Sequence, residues 1–173
     1  MNATAPIALG FRDPLTAKIA AFLGEIGLQI SSGAVPGVTA LPGIDIDLGT
    51  IVIDEDRLLY PGDVLHEAGH LAVVPPERRA GFHHDVGNDP AEEMMAIAWS
   101  WAATRHLSLD PAIVFHPNGY RGGSQAILAA FGAGSSIGTP MLDFVGMSVD
   151  PRRAARDGLA PFYPQMRHWL RKA

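Results

Sequence analysis

The chain has 173 residues, 47 % apolar and 18 % charged, with a formal net charge of −5. That balance supports a packed core within one domain spanning residues 1–173, and no apolar run reaches the roughly 18 residues that a membrane helix needs. Cysteine is absent, which removes disulfides, thiolate nucleophiles and cysteine zinc fingers and leaves imidazole and carboxylate to hold any metal.

The N-terminal stretch MNATAPIALGFRDP has no basic start followed by an apolar run and a cleavage site, so no signal peptide is expected. With no cysteine and no apolar span, the expected location is cytoplasmic, with no membrane partner. Asp13-Pro14 reads as an N-cap and first-turn proline. Behind it, Leu15, Ile19, Phe22, Leu23 and Ile26 recur at helical spacing, and Gly27 ends the helix. Residues 31–43 are rich in Gly, Pro and Ser and read as a loop. The alternation of Ile44, Ile46 and Leu48, then Ile51 and Ile53, predicts two half-buried strands joined near Leu48-Gly49 as a β-hairpin.

From Pro61, DVLHEAGHLAVV reads as a short helix that stops before Pro75-Pro76. Residues 76–88 are polar and rich in turn formers. Asp89-Pro90 opens a second helix, AEEMMAIAWSWAATRHL, apolar almost all round and therefore buried. Short helices follow at about 124–132, 140–147 and 162–171. The predicted fold class is α+β: a small sheet or hairpin packed on helices, with most helix in the second half. Charge is uneven, with 14 acids and 5 bases in residues 1–100 but 4 acids and 8 bases in residues 101–173. The basic excess, mainly Arg152, Arg153, Arg156, Arg167, Arg171 and Lys172, reads as a solvated C-terminal helical region, and no nucleic-acid partner is expected.

His66-Glu67-Ala68-Gly69-His70 is the strong chemical signal. Residues four apart share a helix face, so both imidazoles can reach one ion. Glu67 lies about 100° round the helix, beside that ion without occupying its site. A chain of this composition would carry HExxH by chance roughly once in a hundred, so coincidence is a poor account of it. The cofactor implied is Zn²⁺, held by His66 and His70, with Glu67 as the catalytic base toward a water.

A catalytic zinc normally takes three protein ligands. Glu92 and Glu93 open the next long helix. Asp89-Pro90-Ala91-Glu92 has capping-box spacing, which would turn Glu92 back onto the amide of Asp89 and leave Glu93 for the metal. Glu93 is therefore favoured, with Glu92 the alternative. A rival ligand set is His83-His84-Asp85 on the intervening loop, where Asp85 could instead orient a histidine. His106, His116 and His168 read as surface or satisfied core histidines.

HEAGH with a glutamate on a downstream helix resembles the gluzincin branch of the zincin metallopeptidases. The run IDIDLGTIVIDEDRLLYPGDVLHEAGHLAV is more specifically similar to the ImmA/IrrE metallopeptidase family. In that family a strand or hairpin precedes the HExxH helix, and the third ligand begins a helix patterned Glu-x-x-Ala-Asn-x-Phe-Ala. Glu93-Met94-Met95-Ala96-Ile97-Ala98-Trp99-Ser100 follows it in part, with Ile97 in place of the amide and Ser100 in place of the second alanine. The resemblance covers about residues 44–104. It implies a zincin-like fold and peptide-bond hydrolysis on a peptide or protein substrate, with His66, His70 and Glu93 on zinc and Glu67 activating water. Such a reaction also needs a donor to the oxyanion. Tyr120 is the candidate, followed by Tyr60, His83 and His84. The competing readings are a metal-binding interaction protein without hydrolysis and a structural domain whose histidine pair binds no metal.

Overall fold

The computed structural model describes residues 10–35, 37 and 39–173. Most of the stretch behind the signal-peptide reading, residues 1–9, lies outside them. Helix α1, Pro14–Glu25, begins as expected: the Asp13 carboxylate accepts from the amide of Thr16 at 2.7 Å, and Pro14 fills the first turn. Ile19, Phe22 and Leu23 face the core. Gly27, with φ of 99°, provides the left-handed step after the helix that a side chain would resist.

The sheet has three strands rather than two. β2 (Ile44–Asp47) and β3 (Thr50–Ile53) form the expected antiparallel hairpin. Leu48 and Gly49 both have positive φ, 46° and 79°, as a type I′ connection requires. Leu48 therefore belongs to the turn and is exposed rather than buried. The additional strand, β1 (Gln29–Ser32), pairs parallel with β3 and gives the order β1-β3-β2. Its sequence, Gln-Ile-Ser-Ser, carries one strongly apolar residue and runs into the loop composition, so alternation does not reveal it. Pairing with β3 satisfies its backbone instead.

Helix α2 (Asp63–Val73) carries the HExxH residues, and α4 (Pro90–His106) is the long helix. Between them, Pro76–Arg79 forms a single helical turn, α3, within the segment expected to be loop. Arg79 donates from Nε to Leu71 O at 2.6 Å and from Nη2 to Val74 O at 3.1 Å, satisfying carbonyls at the end of α2. The most extensive helix packing is α2 on α4. Val64, Leu65, Ala68 and Leu71 meet Ala98, Trp99 and Ala102, all without solvent exposure, in one buried cluster shared with α1 and the hairpin. Gly69 sets how closely the helices approach. A Cβ there would lie 2.9 Å from Ala96 O and 3.2 Å from Ala96 Cα, so only glycine fits without displacement. The hydroxyl of Ser100 lies 2.7 Å from Ala96 O and 3.3 Å from Leu65 O, adding a polar tie across the pair.

The C-terminal third departs from expectation. α5 (Ser124–Gly132) matches, and α6 (Thr139–Phe144) is shorter than expected. A seven-residue helix, α7 (Pro151–Asp157), forms upstream of the predicted one. Residues 162–171 are not helical. Pro161 and Pro164 lack amide hydrogens and disfavour helical geometry in the residues before them. The amides of Tyr163, Arg167 and Arg171 bond instead to Val149 O, Met147 O and Ala72 O. Trp169 O accepts from Trp99 Nε1 at 2.8 Å, fastening this segment to α4. The basic residues thus lie on α7 and on an irregular segment, with Arg152, Arg153, Arg156 and Arg167 exposed. Among the described residues, no helix is long and apolar enough to cross a membrane.

Candidate metal centre

His66 and His70 stand one turn apart on α2, with their Nε2 atoms 3.2 Å apart. Glu93, in the first turn of α4, places Oε2 3.1 Å from His70 Nε2 and Oε1 3.7 Å from His66 Nε2. Among the described residues, these three side chains form the group whose ligand-type atoms lie close enough to hold a metal ion, all within 4.8 Å of one another. A tetrahedral zinc with bonds near 2.05 Å separates its ligand atoms by about 3.3 Å. The two imidazole nitrogens, 3.2 Å apart, stand near that edge length, and each has one of the two Glu93 oxygens at 3.7 or 3.1 Å. Two imidazoles and a carboxylate are also a donor set that zinc accepts, and the close α2–α4 approach at Gly69 brings the set together.

Glu92 turns the other way. It is buried and forms an ion pair with Arg78, whose Nη1 and Nη2 donate to its two carboxylate oxygens. The expected capping box does not form. Asp89 alone caps α4, accepting from the amides of Ala91 at 2.7 Å and Glu92 at 3.4 Å. The reason is Arg78 on α3: a guanidinium beside a buried carboxylate outcompetes a neutral backbone amide as its partner.

Burial and neighbouring charge set the titration of the metal-free cluster. Burial, aided by His70, lowers the His66 pKa to about 4, with Glu93 acting in the opposite direction. For His70, burial opposes protonation, but the bond it donates to Glu93 and the charges of Glu67, Glu93 and Glu92 outweigh it and raise the pKa. The bond to His70 holds Glu93 below the usual carboxylate range against the effect of burial. Glu67 is not within the ligand set. Burial, with lesser contributions from Asp63, Glu93 and Asp85 and against His70, raises its pKa to about 7.

The oxyanion candidates occupy different positions around this floor. Tyr120 Oη lies 3.0 Å from His66 Nδ1. With a metal on Nε2, Nδ1 would be the protonated nitrogen and would donate to Tyr120, fixing the ring and its tautomer. His84 Nδ1 lies 2.9 Å from the carboxylate of buried Asp45, and a recess of about 20 Å³ is lined by Asp45, His84 and Glu67. His83 pairs with Asp47 at 3.1 Å, and Asp85 accepts from the amide of Gly87 at 2.8 Å. The rival His83-His84-Asp85 set therefore does not converge as a ligand group. Tyr60 stacks on His116 at 3.8 Å between centroids, and its hydroxyl accepts from Asn118 Nδ2 at 2.6 Å. His106 packs its ring near Phe22 and Trp169, and His168 is exposed.

Sequence reasoning missed Asp45, Asp63 and the part played by His116. His116 Nε2 lies 2.9 Å from Asp63 Oδ1, both side chains are largely buried, and both line the cleft beside His66. His116 Nδ1 is buried without a partner among the described residues. Burial raises the Asp63 pKa against the effect of His116. One signal was available: Asp63 precedes His66 by three residues, which places both on one helix face. His116 is joined to them only by the tertiary fold. No family model, curated protein or solved structure matches the chain.

Proposed function

We propose that this protein is a zinc-dependent hydrolase of the zincin type, a metallopeptidase acting on peptide bonds, as the resemblance to the ImmA/IrrE family implies. The observation that carries the proposal is the convergence of His66 Nε2, His70 Nε2 and the Glu93 carboxylate at separations of 3.1 to 3.7 Å, with Glu67 next in sequence to His66. Zinc bound by these three would supply Lewis acidity and bring the pKa of a water near neutrality.

The chain's own residues divide the remaining tasks. Glu67 is close to half-ionised at pH 7 in the metal-free protein, and a dication alongside favours its charged form. Its carboxylate takes a proton from the attacking water and returns it to the leaving amine. His66 stays neutral, as a ligand must, because it is buried and lies beside His70, and the bond between its Nδ1 and Tyr120 orients the ring. Tyr120 is thus a positioning residue. His84 is the assigned donor to the developing oxyanion in its imidazolium form: the Asp45 carboxylate accepts from Nδ1, Nε2 then carries the proton left to give, and His84 and Glu67 line one recess.

The experiment compares the zinc-loaded protein with Glu67→Gln on a randomised peptide library, with zinc content measured in parallel. The expected result is cleavage by the parent and near-complete loss in the variant at equal zinc content. Glutamine keeps the shape of the side chain but cannot take the proton. Zinc binding by a parent that cleaves no peptide would leave a metal-binding interaction protein and end the hydrolase proposal.

A further inference from the structure

The hydrolase proposal leaves the chemistry of the substrate open, and the larger cleft bears on it. A cavity of about 430 Å³ extends from His66 and Glu93 to Tyr60, Asn118 and Arg121, with Leu41 and Pro42 on its apolar side. That volume suits a ligand the size of a few amino-acid residues. Its charged groups other than Arg121, and its two tyrosine hydroxyls, are committed within the protein. Asp63 is paired with His116 at 2.9 Å, and Glu93 faces the two histidines. The Tyr60 hydroxyl is bonded to Asn118 at 2.6 Å, and that of Tyr120 to His66 at 3.0 Å.

Arg121 is different. The ion pairs made by arginines belong to Arg12, Arg78, Arg153 and Arg156. Among the described residues Arg121 has none, and it is exposed on the wall of the cleft. Its backbone is in the left-handed region at φ of 51°, directly after Tyr120 at 52°. Two successive non-glycine residues there cost free energy, on the order of 1 kcal/mol each. The pair sits at the centre of a tight turn closed by the Gly122 amide on Gly119 O at 3.1 Å, which holds Tyr120 against His66 and leaves the Arg121 side chain on the cleft wall with no hydrogen bond among the described residues. Residues 1–100, which supply Asp63 and Glu93 to this cleft, are acidic, 14 acids against 5 bases, so an anionic ligand gains no long-range attraction from that part of the chain. Preference for one would have to come from a short-range pair.

We propose that Arg121 recognises a carboxylate on the substrate, so that the preferred substrates are peptides presenting an Asp or Glu side chain, or a free C-terminus, within this cleft. The inference rests on the hydrolase reading for the word substrate, but the binding it describes does not depend on turnover. A guanidinium offers a planar pair of donors that matches a carboxylate, and a lysine ammonium supplies only the charge.

The test therefore measures binding on the zinc-loaded Glu67→Gln protein, by fluorescence anisotropy, with labelled pools of randomised hexapeptides. One pool contains no acidic residue and has an amidated C-terminus, a second adds one Glu to it, and a third instead has a free C-terminus. The expected result is about ten- to a hundredfold tighter binding of one carboxylate pool over the amidated neutral pool, and whichever pool shows it identifies the source of the carboxylate. Arg121→Gln should abolish the preference, Arg121→Lys should keep part of it, and Arg121→Glu should transfer it to pools carrying lysine, each at parental zinc content. Equal binding of all pools, no binding of any, or a preference that survives Arg121→Gln would overturn the proposal. If the preference depends on Arg121 while the parent protein cleaves nothing, the hydrolase reading fails and the carboxylate site stands.

Discussion

The floor and the rim of the candidate site are built by different means. The floor is two helices, α2 and α4, packed face to face with Val64, Leu65, Ala98 and Trp99 fully buried between them. It brings together His66, His70 and Glu93 through regular helical spacing and one glycine contact. The rim is loop, residues 82–85 and 116–123, and His84, Tyr120 and Arg121 there all have positive φ. Rigid periodic structure thus positions the proposed ligands, whereas left-handed turn residues position the groups that would face a substrate. A loop can vary without disturbing the helices under it.

This contrast predicts a graded set of effects, the largest in the floor. Gly69→Leu inserts a side chain where even a Cβ meets Ala96 O at 2.9 Å. It is expected to cost about 3 kcal/mol or more by denaturant unfolding and to abolish tight zinc binding, because α2 and α4 must separate. Unchanged zinc affinity in that variant would show that the helix approach does not set the ligand geometry.

The next effect concerns pH in the metal-free protein. The Glu67 pKa is about 7 in the fold and near 4.5 when the chain unfolds. Its raised value means that the folded state favours the protonated form, so stability is lost as pH rises from 4.5 through 7. His66, lowered to about 4 from 6.5, acts oppositely: its contribution is present above 6.5 and lost as pH falls toward 4. Between about 4.5 and 6.5 the two slopes nearly cancel, because folding moves a proton from the imidazole to the carboxylate. Glu67→Gln removes one side of that balance. Unfolding in chelator across pH 4.5 to 7 should show the variant gaining about 2 to 3 kcal/mol on the parent as pH rises. A constant difference across that range would refute the titration assigned to Glu67.

Rim and periphery give smaller effects. Tyr120→Phe removes the partner of His66 Nδ1 and is expected to weaken zinc about tenfold in a competition titration, with little change in stability. Glu92→Gln weakens the pair with Arg78 and is expected to cost about 1 kcal/mol in thermal or chemical unfolding while zinc affinity stays at the parental value. If Glu92→Gln strips the metal and Glu93→Gln does not, the two glutamates have been assigned the wrong way round.

The same division governs what the sequence discloses. The α+β class, the hairpin and both floor helices follow from period, caps and spacing, which are local. Glu93 does stand beside the two histidines, but the capping-box argument for it fails, since Glu92 is taken up by Arg78. β1 was hidden because a four-residue strand with one strongly apolar residue is specified by its partner β3. The helix expected over 162–171 has the right apolar content, but its backbone bonds go to Met147, Val149 and Ala72. Asp45 and His84 are 39 residues apart, and Asp63 and His116 are 53 apart. No periodicity can pair residues over such separations; the fold does so.

The claim on which the rest depends is that His66, His70 and Glu93 hold one zinc ion. Anomalous diffraction at the zinc edge from crystals of the zinc-loaded protein tests it most directly. The account predicts a single strong peak about 2.0 to 2.2 Å from Nε2 of His66, Nε2 of His70 and a Glu93 carboxylate oxygen, with Glu92 still on Arg78. A zinc peak at His83 and His84, one coordinated by Glu92, or none between α2 and α4 would contradict it.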